Sequence, residues 1–179
     1  MILHRVLLAC ALMLGLLVPA KAELPAGFKA PVFTTRAALA GEEFGFSLSV
    51  ALAGGPVVLY FYPKAFTQGC TLEANGFAES MPQFQAAGAT VIGMSNDDIA
   101  TLKRFSREEC RDAFPVGVAT PQLIHAYDVV RMANGKATEL ASRTSYVIAQ
   151  NGRIAMVHSD ADYRHHVYLT LEAVRALQD

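Results

Sequence analysis

The sequence predicts an α/β domain with a mixed central β-sheet flanked by helices, and three features predict it. Short apolar runs bounded by glycine or proline alternate with stretches whose apolar residues recur at helical spacing. Two strand-like segments joined through Asn151-Gly152 read as a hairpin, which brings antiparallel pairing. A last amphipathic segment closes the chain. Neither repeats nor low-complexity tracts interrupt this order.

Residues 1–22 read as a cleaved signal peptide. His4 and Arg5 make a basic start, Val6 to Val18 is an almost unbroken apolar run, and Ala20-Lys21-Ala22 offers a small-x-small cleavage site. The run is shorter than the roughly 20 apolar residues that span a bilayer. A lipoprotein reading at Cys10 fails, because most of the apolar stretch follows that cysteine. Residues 23–179 are then a single domain, long enough for one core, and periplasmic or secreted.

Glu23 to Phe46, with Pro25, Gly27, Pro31 and Gly41, reads as a loop-rich opening segment. Gly55 to Tyr62 is a short apolar run bounded by Gly54-Gly55 and Pro63, the pattern of a buried strand. From Cys70 to Ala87, Phe77, Met81 and Phe84 recur at helical spacing; Gly88 is a stop signal, and Pro82 predicts a kink or break. Ala89 to Met94 is a second strand. Ser95-Asn96-Asp97-Asp98 supplies capping oxygens for a helix running through Asp112. Phe114 to Val118 is a short strand and Leu123 to Tyr127 a helical turn. Arg143 to Ile148 and Arg153 to Val157 form the hairpin, and His166 to Leu177 the closing helix.

Charge narrows the partners. The chain carries 15 basic and 16 acidic residues, and loss of Arg5 and Lys21 with the signal leaves 13 against 16. No basic run appears, which excludes nucleic acid as the expected partner, and the mature chain has no membrane segment. Cys10 leaves with the signal, so Cys70 and Cys110 remain. Two cysteines in an exported chain commonly form a structural disulfide. The alternative is reactive thiols. Cys70 follows a strand and opens a helix, where free backbone N–H groups and the helix dipole favour thiolate over thiol.

The run Pro63-Lys64-Ala65-Phe66-Thr67-Gln68-Gly69-Cys70 has proline, then threonine four residues on, then cysteine, with Glu73 beyond. With the distant Arg143-Thr144-Ser145-Tyr146-Val147-Ile148, it resembles the active-site motif of peroxiredoxins, in the peroxiredoxin Q or bacterioferritin-comigratory-protein branch. The resemblance covers about Gly27 to the C-terminus and implies a thioredoxin-like fold. Many relatives have Asp where Ala65 stands and Pro where Gln68 stands, departures that bear on substrate preference.

The resemblance implies a role for each residue. Thiol attack on a peroxide needs a thiolate, donors that hold the peroxide in line, and a cation for the developing oxyanion. Cys70 is the nucleophile; a buried, inert cysteine is the plain alternative. Thr67 donates and accepts with one hydroxyl, or simply caps the helix. Pro63 shapes the loop and shields the thiolate. Arg143 is the cation, which without the resemblance would read as a solvated loop residue. Glu73 pairs with that arginine, or sits in the first turn for the dipole.

Cys110, near the end of the second long helix, is the resolving cysteine, with Arg107 and Arg111 one turn apart to activate it if they face it. In the reduced fold Cys70 and Cys110 are expected as two free thiols held apart, so the disulfide needs local unwinding. His165-His166, with Asp160 and Asp162 upstream, reads as a helix-start pair and not a metal site, because adjacent helical residues diverge by about 100 degrees.

The expected activity is reduction of hydrogen peroxide or organic hydroperoxides through a Cys70 sulfenic acid, resolved by Cys110 and recycled by a thioredoxin-like dithiol reductant. No metal, flavin or haem is implied, and the chain is expected as a monomer or weak homodimer. A redox-sensing binding protein with a Cys70–Cys110 switch is the rival; it would consume about one equivalent of peroxide instead of turning over. A disulfide-exchange protein is disfavoured by the missing Cys-x-x-Cys.

Overall fold

The computed structural model describes residues 23–178, so the predicted signal peptide, residues 1–22, lies outside the described residues. The elements are β1 (Thr34–Leu39), β2 (Glu42–Ser47), α1 (Leu48–Gly54), β3 (Val57–Phe61), α2 (Gln68–Ala86), β4 (Thr90–Ser95), α3 (Ile99–Glu108), β5 (Val116–Val118), α4 (Pro121–Ala126), β6 (Val130–Ala133), β7 (Lys136–Ala141), β8 (Thr144–Ile148), β9 (Ile154–Ser159) and α5 (His166–Arg175). A seven-stranded sheet runs β2-β1-β5-β4-β3-β8-β9, and β6-β7 is a separate ribbon. The contacts β3–β4 and β4–β5 are parallel; β1–β2, β1–β5, β3–β8 and β8–β9 are antiparallel. The mixed sheet is the one expected.

β3 lies at the centre, and all five of its residues are buried. Its alternation feeds two cores. Val58, Tyr60 and Tyr62 face α2 and α3, with Phe77, Phe84, Phe105 and both cysteines. Val57, Leu59 and Phe61 face the other side, with Leu48, Ile92, Tyr127 and Tyr146. Phe77 stacks on Tyr60 with ring centroids 4.4 Å apart. Burying a side chain of this size contributes about 2–3 kcal/mol, enough to fix α2 against the sheet.

Several expectations need correction. Residues 23–46 are not all loop. β1 and β2 form a hairpin through Ala40 and Gly41, which have φ of 51° and 78°. Such a two-residue turn requires the left-handed region at both positions. Its strands are mostly exposed, so their apolar pattern is faint. α2 is continuous through Pro82 instead of breaking there. α3 is capped by Asp98, which accepts from Thr101 N at 2.7 Å, and ends at Glu108 rather than Asp112. Arg111 and Asp112, at φ of 52° and 58°, belong to a left-handed turn that stops it. The β6–β7 ribbon, turning through Asn134-Gly135, is absent from the sequence reading, although Asn-Gly is a hairpin signal. At the predicted hairpin only Gly152 of Asn151-Gly152 has positive φ, and the β8–β9 register shifts beside it. This marks a bulged turn.

Candidate active site

β3 carries the chain to the site. Tyr62 N still pairs with Met94 O at 3.0 Å, and Pro63 then turns the chain out of the sheet. α2 begins five residues later, and Cys70 lies in its first turn, 2 % exposed. The first bond of the helix runs from Thr71 N to Thr67 O at 2.9 Å. The amides of Gln68, Gly69 and Cys70 therefore lack helical acceptors, which makes this end receptive to negative charge. Thr67 holds the N-cap position but makes no side-chain cap. Its hydroxyl donates to Lys64 O at 2.9 Å and borders the cleft, so the plain capping reading does not apply.

The loop is held under strain. Phe66 has φ of 62°, a costly conformation for an aromatic residue. Its ring meets Phe105 edge-on at 5.2 Å, and Arg104 lies over it at 5.0 Å. Buried Asp97 accepts from Ala65 N (2.8 Å) and Ser95 Oγ (2.9 Å) and pairs with Lys64 Nζ (3.2 Å). The sequence reading used Asp97 only as capping chemistry; its position two residues after a strand end is the one signal of this role.

Arg143 immediately precedes β8 and is 8 % exposed. Its Nη2 donates to Cys70 Sγ at 3.4 Å, Nη1 pairs with Glu73, and Nε donates to Ala161 O at 3.1 Å. Burial works against its charge, but Glu73 and Cys70 hold the guanidinium above its ordinary value. A Cβ on Gly69 would come 3.2 Å from Arg143 Nη2, so the glycine lets the guanidinium lie close across the start of α2. Glu73 is fully buried. Burial pushes its carboxyl up to about 8, against the opposing pull of Arg143. Its Oε1 has no hydrogen-bond partner and lies 3.7 Å from His166 Nδ1.

These groups border a cleft of about 630 Å³. Pro63, Thr67, Cys70 and Arg143 form one side, with Ser142, Ser159 and Asp160 beside them. Arg131, Met132 and Leu140 from the β6–β7 ribbon form the outer lip, which the sequence reading missed together with the ribbon. The structure thus brings Pro63, Thr67, Cys70, Glu73 and Arg143 together.

Cys110 is placed differently from expectation. It lies just past α3, fully buried in the same core cluster as Cys70, and both thiols are free, so the structural disulfide is not formed. Burial first, then Glu109 and Asp112, push its thiol well above the ordinary value. Arg107 packs against Gly41 and Arg111 pairs with Glu79, so the expected activation by these arginines is absent. His165 is exposed, while His166 is buried against Ser145 and the Asp160 carbonyl. Asp162 caps the 3₁₀ turn Tyr163–His165.

A free thiol opening a helix beside a buried arginine, on a thioredoxin-like sheet, is the arrangement of a thiol-dependent peroxidase. The chain belongs to the AhpC/TSA family, which residues 26–157 match, and within it to the peroxiredoxin Bcp and Q branch. It is 32% identical over 129 residues to Peroxiredoxin Bcp of Xanthomonas campestris, covering 70% of this chain and 80% of that one. It is 32% identical over 157 residues to chloroplastic Peroxiredoxin Q of Oryza sativa subsp. japonica, covering 84% and 67%. Among solved structures it superposes on Peroxidoxin BcpB from Mycobacterium tuberculosis with a TM-score of 0.76, 29% identity and coverage of 86% and 98%. The Xanthomonas campestris Bacterioferritin Comigratory Protein, studied for alkyl peroxide reduction activity, gives 0.75, 29%, 87% and 100%.

Proposed function

We propose that Cys70 is the attacking thiolate and Cys110 the resolving thiol of an exported peroxidase that takes organic hydroperoxides as well as hydrogen peroxide. The thiolate attacks the terminal peroxide oxygen, the O–O bond breaks as S–O forms, and the released alkoxide takes a proton and leaves as alcohol. Cys70 is then a sulfenic acid. The Cys110 thiol condenses with it, releasing water and forming a disulfide. A thioredoxin-like dithiol reduces that bond by exchange. The observation that carries the reading is Arg143 Nη2 at 3.4 Å from Cys70 Sγ, at the start of α2 and at the edge of an open cleft. Met132 and Leu140 on the lip give an alkyl chain an apolar surface, and alkyl peroxide reduction in a similar protein supports the same substrate class. Export rests on the composition of residues 1–22.

Mass spectrometry after one equivalent of peroxide tests both thiols. The mature wild type should lose two protons and carry a Cys70–Cys110 bridge, Cys110→Ser should accumulate Cys70 sulfenic acid and overoxidise, and Cys70→Ser should be inert. Turnover by Cys70→Ser would reject the nucleophile. Only sulfenic acid in the wild type would make Cys110 a packing residue.

A further inference from the structure

The closing helix contributes a buried side chain to which the reaction above assigns no role. His166 opens α5 with no exposed surface, yet both ring nitrogens are engaged. Nε2 lies 3.0 Å from Asp160 O, and Nδ1 lies 2.8 Å from Ser145 Oγ. A carbonyl oxygen can only accept, so the proton is on Nε2. Nδ1 is then an acceptor, and the Ser145 hydroxyl donates to it.

The carbonyl that His166 holds belongs to the segment that orients the arginine. Asp160 N donates back to Arg143 O at 3.3 Å, and the next residue, Ala161, takes Arg143 Nε on its carbonyl at 3.1 Å. This segment follows the end of β9, and Asp160 is exposed. The ring of His166 is therefore a fixed buried anchor for an otherwise peripheral stretch of backbone. Arg143 in turn has one guanidinium edge on that stretch and the other on Glu73 and Cys70.

We infer that His166 is a positioning residue for peroxide reduction: its Nε2–H, through the Asp160–Ala161 backbone, sets the angle at which Arg143 meets Cys70. The inference rests on Arg143 being the cation of the site. It also requires a neutral ring. The groups facing it are Glu73 from α2, Arg143, Ser145 from β8, His158 from β9 and the Asp160 carbonyl. Burial first, with His158 and Arg143 adding to it, lowers His166 to about 4. A protonated ring would turn a charged Nδ1–H towards Glu73 Oε1, 3.7 Å away, and would lose the hydrogen bond that Nδ1 accepts from Ser145. The neutral tautomer leaves Glu73 to Arg143.

Three substitutions separate positioning from packing. His166→Gln can place an amide N–H where Nε2–H stood, His166→Asn can reproduce only the Nδ1 side, and His166→Leu reproduces neither. Initial rates of Cys70 oxidation by excess peroxide should fall about tenfold to a hundredfold in His166→Leu and His166→Asn, the scale of a misplaced catalytic group, and recover most of the way in His166→Gln. Equal loss in all three variants, each with a native thermal transition, would overturn the proposal, as would a wild-type rate in His166→Leu. Nitrogen-15 NMR of the wild type gives a readout that does not depend on how variants fold: the Nε2–H tautomer at pH 7 is expected, and an Nδ1–H tautomer would overturn it. Arg143→Ala keeps the two readings apart. If it reacts like wild type the cation itself is misassigned; if it is slow while His166→Leu is fast, only the role of His166 fails.

Discussion

The backbone N–H of Ala65 donates to Asp97 Oδ2 at 2.8 Å, tying the loop before Cys70 to the connection between β4 and α3. The residue after Ala65 is Phe66, whose left-handed backbone costs about 1–3 kcal/mol that neighbouring contacts must offset. Asp97 is a buried carboxylate on the β4–α3 connection, and it engages Ala65, Ser95 and Lys64 at once. The loop geometry thus depends on a side chain more than thirty residues downstream.

Asp97→Ala should therefore affect both stability and chemistry. It leaves the Ala65 N–H and the Ser95 hydroxyl without their acceptor, at a cost of about 1–3 kcal/mol for each donor left dry. The melting temperature should fall, and the rate of Cys70 oxidation should fall further than stability accounts for, because Thr67 and Cys70 lose their spacing. Asp97→Asn, which keeps an acceptor oxygen, should do less of both. Stopped-flow rates beside thermal melts decide this; a destabilised variant with an unchanged rate would show that the loop holds its own shape.

Arg143 and Thr67 should show the opposite balance. Arg143→Ala and Thr67→Val each should lower the peroxide rate on the order of tenfold to a thousandfold, the range for a lost donor to developing charge. Arg143→Ala also leaves the buried Glu73 carboxyl without its hydrogen-bond donor, so Arg143→Ala with Glu73→Gln is the control that removes this group as well, and it should stay slow. Full activity in that double variant would remove Arg143 from the site.

Much of this site was legible in the sequence because its parts are local. Pro63, Thr67, Cys70 and Glu73 lie on one strand–loop–helix passage, and Arg143 is fixed by the strand it precedes. The supports were not legible. Asp97 and His166 reach the site through long-range contacts that leave no periodic signal, and both sit in runs with a nearer explanation as helix-start residues. Cys110 was placed in a helix because Ile99, Leu102 and Ser106 keep helical spacing. The left-handed pair Arg111 and Asp112, neither of them glycine, gave no warning that the helix ends first.

That placement predicts how the disulfide forms. Cys110 is fully buried with its thiol pushed well above its ordinary value, so in this conformation it cannot serve as a thiolate nucleophile. The segment after α3 must open first, and the positive φ of Arg111 and Asp112 makes its turn a strained place to open. Low, non-denaturing urea should therefore speed the step from Cys70 sulfenic acid to disulfide while slowing the attack on peroxide, which needs the folded loop. Quenched-flow mass spectrometry resolves the two steps, and tyrosine fluorescence can follow them because the chain has no Trp and 6 Tyr. A disulfide step that slows in parallel with the attack would mean the thiols meet without opening.

Stability should vary with pH through Glu73 and His166, and the two act in opposite directions. Burial raises Glu73 from 4.5 to about 8, so between those values the folded chain holds a proton that the unfolded chain has released. Its contribution is greatest at low pH and is lost as pH rises to about 8. Burial lowers His166 from 6.5 to about 4, so in that interval the unfolded chain binds the extra proton, and stability is lost as pH falls. From about pH 4.5 to 6.5 the slopes oppose and the curve should be nearly flat; from 6.5 to 8 only Glu73 acts, and stability should decline by up to about 1.4 kcal/mol per pH unit, the limit for one proton. Urea melts across pH 4 to 9 measure this. Glu73→Gln should abolish the decline above pH 6.5 and uncover a rise below it, whereas His166→Gln should extend the decline down to about pH 4.5. A decline that persists unchanged in Glu73→Gln would assign the proton to another group and leave Glu73 ionised beside Arg143 throughout.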